Sequence, residues 1–254
     1  MSANPKQRLD QRVVAGGLAP SRERARALIL AGKVRVDGDV QSKAGFLVAP
    51  GAAVTIDEPD HPYVGRGGLK LAHALETFAI DPKGREVLDI GASTGGFTDV
   101  CLQRGARHVV ALDVGHNQLD WKLRSDPRVT AIERVNARSL TRDQLPADHQ
   151  RFGLITIDVS FISLRYILPV VPPLCRPGTD VIALVKPQFE AGREDVESGG
   201  LVRDPAVHAR VIDEVTIAAA DAGLARQGLT PSPITGAEGN QEFLMWLKLV
   251  TDHR

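Results

Sequence analysis

Apolar positions follow two regimes along the chain. Up to Ile56 they come in short patches of mixed period. Beyond Leu69, apolar runs of strand length alternate with segments of helical period. In the first regime, Gln7–Ala15 reads as a short helix stopped by Gly16-Gly17, and Ser21 is a good N-cap for a second helix over Arg22–Leu30. That helix has Ala25, Leu28 and Ile29 on its apolar face, and Gly32 ends it. Lys33–Val36 alternates as a strand, Asp37-Gly38 signals a hairpin, Val40 starts the return strand, and Val54–Ile56 is a last short strand. Residues 1–60 are therefore predicted to form a small α+β domain.

A proline- and acid-rich stretch begins at Asp57 and runs on through Tyr63 to Gly68, so residues 61–68 read as a linker. Leu69–Phe78 has a helical apolar face made by Leu71, Ala74, Leu75 and Phe78. Strands are predicted at Glu86–Asp89, Val109–Asp113, Val129–Glu133, Phe152–Asp158, Val181–Val185 and Phe243–Val250. Helices fit at Phe97–Gln103, Gln118–Arg124, Thr141–Leu145, Leu164–Val171 and Pro205–Ala222. This alternation predicts an α/β domain over residues 69–254, with a doubly wound, mostly parallel sheet. Ligands of such sheets sit beyond the C-terminal strand ends.

The stretch Asp89-Ile90-Gly91-Ala92-Ser93-Thr94-Gly95-Gly96 lies between the first of these strands and its helix. A strand, a glycine turn and a helix N-terminus form a cradle that offers backbone N–H groups and a positive helix end. The glycines are spaced Gly-x-x-x-Gly-Gly, which does not meet the dinucleotide fingerprint. Acidic residues at two strand ends, Asp89 and Asp113, instead suit a ligand with an amino group and ribose hydroxyls and no pyrophosphate, namely S-adenosylmethionine. Asn136, after the third strand, either reads the adenine edge or caps the next helix.

Composition narrows the class. The chain has 254 residues, an ordinary hydrophobic share of 43%, and only two cysteines, so neither a disulfide framework nor a zinc site is expected. None of the seven histidines shows metal-ligand spacing. No apolar run approaches the roughly 20 residues of a membrane span, and Met1–Gln11 has no apolar signal core. These features predict a cytoplasmic protein. Net charge is zero but unevenly placed, because residues 1–56 hold nine Lys and Arg against four Asp and Glu. A basic head on a mildly acidic body predicts a polyanion-binding module.

Four charged residues stand at element ends: Lys70 at a helix start, Asp158 and Lys186 closing consecutive strands, and Glu242 before the last strand. By themselves they are compatible with two structural salt bridges. Beside a cofactor cradle they suit removal of a proton from a weak nucleophile. Ser160 and Ser163 lack a nucleophile-elbow context. The polar, glycine-bearing stretch Glu194–Arg203 is expected to be a mobile loop over the site.

The segments Ser21–Ile29 and Gly32–Gly38 resemble the RNA-binding module first seen in a small-subunit ribosomal protein. That resemblance implies that Arg22, Arg24, Arg26, Lys33 and Arg35 lie along folded RNA. Lys70, Asp158, Lys186 and Glu242 resemble the Lys-Asp-Lys-Glu tetrad of FtsJ/RrmJ-type ribose 2′-O-methyltransferases. With Gly65–Leu71, Asp158–Ser163, Leu184–Glu190 and Gly239–Glu242, the whole chain resembles the TlyA (hemolysin A) family of ribosomal RNA 2′-O-methyltransferases.

The resemblance implies a Rossmann-like fold, S-adenosylmethionine as cofactor, and ribosomal RNA or ribosomal subunits as partner. The implied target is a cytidine in 23S and, in some relatives, 16S rRNA. It implies cofactor contacts from Asp89, Gly91, Ala92, Ser93, Thr94, Gly95, Gly96, Asp113 and Asn136. It makes Lys186 the group on the acceptor hydroxyl, oriented by Asp158. Glu242 would balance and position Lys70 or the hydroxyl, and the nearby positive charge of Lys70 would favour loss of a proton from Lys186. Two other readings differ in class. A non-catalytic RNA-binding or assembly factor conflicts with the intact tetrad. A membrane-lytic protein, suggested by the older family name, lacks an amphipathic basic helix of the needed length.

Overall fold

The computed structural model describes residues 6–19, 21–57, 61–236 and 239–250. The chain divides into two compact units, Met1–Asp60 and His61–Arg254. Residues 58–60 of the predicted proline- and acid-rich stretch lie outside the described residues.

The first unit contains β1 (Gln7–Arg8), α1 (Leu9–Ala15), α2 (Arg22–Leu30), β2 (Val34–Val36), β3 (Asp39–Val40), β4 (Leu47–Val48) and β5 (Val54–Ile56). β2 is the centre of an antiparallel β3-β2-β5 sheet, and β1 pairs with β4. Ser21 Oγ accepts from Arg24 N at 3.2 Å and caps α2, as its position predicts. Leu9, Val13, Ala25, Ile29, Val34, Val36 and Val48 make the core of this unit. The β1–β4 pair was not legible in the sequence, because each strand is two residues long. Gln7 and Arg8, read as the start of a helix, are extended.

The second unit continues with α3 (Gly67–Thr77), β6 (Glu86–Ile90), α4 (Gly96–Gln103), β7 (His108–Asp113), α5 (Trp121–Arg124), β8 (Val129–Glu133), β9 (Phe152–Ile157), β10 (Cys175–Val185), α6 (Pro187–Glu190), α7 (Pro205–Asp221), β11 (Leu224–Pro231) and β12 (Phe243–Leu249). One seven-stranded sheet has the order β11-β12-β10-β9-β6-β7-β8. β10, β9, β6, β7 and β8 are parallel, and the β11–β12 hairpin adds antiparallel on β10. Strand order reverses between β6 and β9, so their C-terminal ends open the crevice of the sheet.

The central strands are apolar on both faces because both are covered. Leu88, Ile90, Val110 and Leu112 belong to one buried cluster that also holds Val211 and Val215 of α7, whereas Val87, Val109 and Leu184 belong to a second with Leu71 and Leu75 of α3 and Val100 of α4.

Several expectations need correction. Residues 61–68 are no free linker: Tyr63 and Val64 pack on the core of the second unit, and Val64 N donates to Asp99 Oδ2 at 2.9 Å. Gly67 and Gly68 already belong to α3. β11 was missed because it is a half-exposed edge strand that carries Gly228 and Pro231, which break the alternating pattern. Leu164–Val171 is a chain of 3-10 turns, since Pro169, Pro172 and Pro173 remove the N–H donors an α-helix needs. The helices predicted at Thr141–Leu145 and Gln118–Arg124 shrink to a 3-10 turn, Arg142–Gln144, and to α5. The stretch Glu194–Arg203 is tied down: Asn240 Oδ1 accepts from Val202 N at 2.9 Å, and Asn240 Nδ2 donates to the Gly200 carbonyl at 2.8 Å.

Candidate active site

The loop between β6 and α4 turns on two left-handed glycines, Gly91 (φ 84°) and Gly95 (φ 96°). Gly91 N and Ala92 N both donate to the Leu112 carbonyl, and Asp158 N donates to the Ile90 carbonyl at 2.9 Å. The turn is thereby stitched to both neighbouring strands. A Cβ on Gly91 would lie 2.5 Å from the Asp158 carbonyl oxygen, so only glycine lets the two strand ends approach. Gly96 plays the same part between helices: its Cβ would meet Gly68 N at 2.8 Å.

Two cavities open around this loop. The larger, of about 510 Å³, is lined by Gly91, Ser93, Asp113 and Asn136, with Leu112, Val135 and Ile167 as apolar walls. The smaller, of about 220 Å³, is lined by Lys70, Lys186, Thr94, Gly96 and Phe97. Gly91, Ser93, Asp158 and Ser160 line both.

Around the smaller cavity the four tetrad residues form two ion pairs. Lys186 Nζ is 2.6 Å from Asp158 Oδ1 and donates to Ser160 Oγ at 2.9 Å. Lys70 Nζ donates to Glu242 Oε2 at 2.5 Å. Both lysines are almost buried yet line the cavity, whereas Glu242 lies behind Lys70 and lines neither cavity. Each lysine thus has its own carboxylate partner. Ser160, set aside in the sequence for want of an elbow, proves to be a hydrogen-bond partner of Lys186.

The cradle residues divide. Asp113 lines the larger cavity, and its oxygens accept from Ser93 N at 2.8 Å and Gly115 N at 2.6 Å, which fixes the carboxylate at the rim. Asn136 lines the same cavity, and its Oδ1 accepts from Arg138 N at 3.0 Å. It therefore caps the following turn. Asp89 does not reach either cavity. It is fully buried and accepts from Thr98 Oγ1 at 2.7 Å and Thr156 Oγ1 at 2.8 Å. Burial pushes its carboxyl up to about 6 against the opposing pull of those hydroxyls. Its place is beneath the loop, bracing β6 against α4 and β9. Gly95 likewise lines neither cavity, since the side chains of Leu119 and Leu123 cover it.

The segment after β9 was legible as a motif but not in its role. Phe161 is 90% exposed and holds a left-handed φ of 63°, with its ring centroid 5.0 Å from that of Phe189. Glu190, buried, accepts from Ser163 Oγ and from Leu164 N at 2.7 Å. It thus ties the segment carrying Asp158 and Ser160 to the one carrying Lys186. An open groove about 860 Å³ in volume continues from Phe161 past Tyr166, Arg138, Arg165 and Arg193.

In the first unit the predicted basic set is only partly brought together. Arg22 and Arg26 lie one turn apart on α2 and both approach Asp10. Arg24 is two positions on, roughly 200° around the helix. Arg35, on β2, pairs with Asp57 at 2.6 Å. Lys33 precedes that strand.

Residues 63–249 match the FtsJ-like methyltransferase family, and residues 7–54 match the S4 domain. The chain is 46% identical to TlyA of Mycobacterium tuberculosis, named a 16S/23S rRNA (cytidine-2′-O)-methyltransferase, over 96% of this chain and 91% of that one. It is 41% identical to hemolysin A of Brachyspira hyodysenteriae, over 93% of this chain and 98% of that one. Among solved structures, a protein described as a hemolysin from Streptococcus thermophilus superposes with a TM-score of 0.75 at 44% identity, covering 98% of this chain and 90% of that one. A glycine cradle at the reversal point of a seven-stranded sheet, two lysine–carboxylate pairs beside it and these matches converge: the chain belongs to the FtsJ-like methyltransferase family, with an S4 domain ahead of the methyltransferase domain.

Proposed function

We propose that this chain is an S-adenosylmethionine-dependent ribose 2′-O-methyltransferase acting on a cytidine of ribosomal RNA. In this reading the first unit docks RNA and the second carries the reaction. One observation carries it: Lys186 with Asp158, and Lys70 with Glu242, stand at a cavity that shares its walls with the glycine cradle.

The cradle fits the cofactor. A cavity of about 510 Å³ falls in the roughly 300–1,000 Å³ range of small-molecule sites. Its chemistry is graded: bare backbone at Gly91 and Ser93, a fixed carboxylate at Asp113, and Leu112, Val135 and Ile167 beside the Asn136 amide. Asp113 would hold ribose hydroxyls, the backbone at Gly91 and Ser93 the amino-acid end, and the apolar wall the adenine. When bound, S-adenosylmethionine supplies a methyl group activated by its sulfonium. The protein's own task is to hold the acceptor and move one proton. Lys186 Nζ, as the neutral amine, would contact the 2′-oxygen and take its proton, becoming the ammonium that Asp158 holds in place. Lys70, fixed by Glu242, forms the facing wall.

The groove beside the cavity supports RNA as substrate. Exposed aromatic rings next to guanidinium groups suit single-stranded nucleotides, whose bases stack and whose phosphates pair with arginine. Phe161→Ala is expected to lower kcat/KM for ribosomal RNA by roughly tenfold or more, since one base–aromatic stack is worth about 1–3 kcal/mol. Calorimetric affinity for S-adenosylmethionine should change much less. Equal kcat/KM in steady-state methylation assays would remove the ring from the substrate path.

The whole reading is tested by incubating ribosomal RNA with the protein and labelled cofactor, then mapping modified nucleotides by mass spectrometry. A methyl on the 2′-oxygen of a cytidine is expected. Methylation of a base atom, or none, would refute the reading.

A further inference from the structure

Ser160 stands where the two cavities meet the Lys186 amine. It lies two residues beyond Asp158, is exposed, and lines both the larger and the smaller cavity. Lys186 Nζ donates to its Oγ at 2.9 Å. The contact of the same amine with Asp158 Oδ1 is shorter, 2.6 Å, but too bent for a hydrogen bond, so that oxygen has no hydrogen-bond partner among the described residues. The two neighbours therefore do different things. Asp158 attracts the amine by charge, which has little preference for direction. Ser160 supplies the directional bond.

Direction matters because a proton acceptor works through a lone pair. An ammonium carries three N–H donors and no acceptor. The neutral amine carries two N–H groups and one lone pair, and it turns about its Cε–Nζ bond. With one N–H on Ser160 Oγ, that rotation stops. The Asp158 carboxylate repels a lone pair and draws the second N–H to its side. The remaining tetrahedral position has no partner among the described residues and is left for the smaller cavity, which Lys186 lines. The backbone holds the hydroxyl in place. Phe161, next in the chain, has a left-handed φ of 63°, which residues other than glycine rarely adopt. Such strain persists where the surroundings over-determine it. Here Glu190, on the helix that follows Lys186, accepts from Ser163 Oγ and Leu164 N.

We propose that Ser160 is a positioning residue for the reaction: by accepting from Lys186 Nζ it aims the lone pair of the amine at the acceptor 2′-hydroxyl. The proposal rests on the reading of this chain as a ribose 2′-O-methyltransferase. The proton passes from the 2′-oxygen to Nζ, and Ser160 neither gains nor loses one. The ammonium so formed has three N–H groups, for Ser160, Asp158 and the product oxygen. A serine in this role requires no nucleophile elbow, only an oxygen that faces Lys186.

Single-turnover methylation of ribosomal RNA by the full-length protein at saturating cofactor separates the oxygen of this side chain from its volume. Ser160→Ala is expected to lower the maximal rate roughly ten- to a hundredfold, the scale of a lost hydrogen bond to a charged group. The RNA concentration that gives half the maximal rate should stay within about twofold of wild type, and so should calorimetric affinity for S-adenosylmethionine, because the lost bond acts on the reacting oxygen and not on binding. Ser160→Thr restores the oxygen and should recover most of the rate. Ser160→Val has the shape of threonine without the oxygen and should fall with Ser160→Ala. Thermal melting reports on the integrity of each protein. A Ser160→Ala rate equal to wild type would overturn the proposal. Equal rates for Ser160→Thr and Ser160→Val would do the same, since the loss would then follow volume and not the oxygen. A loss confined to RNA affinity would make Ser160 a substrate contact instead and also overturn it. A wild-type protein that places no methyl on a ribose 2′-oxygen would overturn the functional reading as well, a result distinct from unaffected variants.

Discussion

Lys186→Ala is expected to lose methyl transfer by a factor of at least ~10²–10⁴, the usual worth of a positioned proton acceptor. Its affinities for S-adenosylmethionine and RNA should stay close to wild type. Lys186 closes β10 and lines the smaller cavity but not the larger one, so its removal leaves the cradle intact. Asp158→Ala should be similarly severe, because it frees the amine now held at 2.6 Å. Lys186→Arg should not restore activity, since a guanidinium does not give up its proton and its fork fills a different volume. Single-turnover rates at saturating cofactor and RNA, with calorimetric affinities alongside, separate these effects. A rate for Lys186→Ala within a few-fold of wild type would reduce the Lys186–Asp158 pair to a strand-end salt bridge.

Gly91→Ala is expected to abolish measurable S-adenosylmethionine binding and lower the melting temperature. The added Cβ would meet the Asp158 carbonyl oxygen at 2.5 Å and its carbonyl carbon at 2.9 Å. Both are backbone atoms of β9's end, so neither can rotate away. Either the cradle opens or Asp158 shifts, and each change damages a different half of the site. A control isolates this clash from backbone strain. Gly84 also holds a positive φ of 72°, but nothing lies within 4 Å of its Cβ position. Gly84→Ala should therefore cost only the roughly 1–2 kcal/mol of a left-handed alanine and leave cofactor binding unchanged. Differential scanning calorimetry and titration with the cofactor check both variants. Full binding by Gly91→Ala would show that the close approach of β6 and β9 is not what shapes the cradle.

Much of the second unit could be read from local pattern. Runs such as Val109–Leu112 are apolar throughout because both sheet faces are covered, and punctuation by Gly91, Gly95 and Gly105 marks the turns. Asp158 and Lys186 were legible as candidate site residues by their position. A charge that ends an apolar strand is exposed only where the strand opens on a crevice, and Asp158 and Lys186 stand at such ends. What escaped was the edge of the sheet, where β11 is half exposed and its pattern is diluted by Gly228 and Pro231. The proline-rich 3-10 turns after Leu164 escaped as well, because helical spacing of apolar residues survives there without the helix.

By itself, the sequence determined the class of each element, the position of the glycine turn and the residue types available for chemistry. These depend on neighbours a few positions apart, and periodicity records them. Tertiary structure alone decided which charges meet. Lys70 and Glu242 are 172 positions apart and pair at 2.5 Å only because β12 inserts beside β10. Asp89, which reads as a ligand contact, is withdrawn beneath its loop by Thr98 and Thr156, one from α4 and one from β9. Asp10 gathers Arg8, Arg22 and Arg26 while Arg24 turns away, since helical geometry separates positions that the chain writes side by side. A charged group's partner is set by the cost of burying it alone, and that cost exists only once the chain has folded around it.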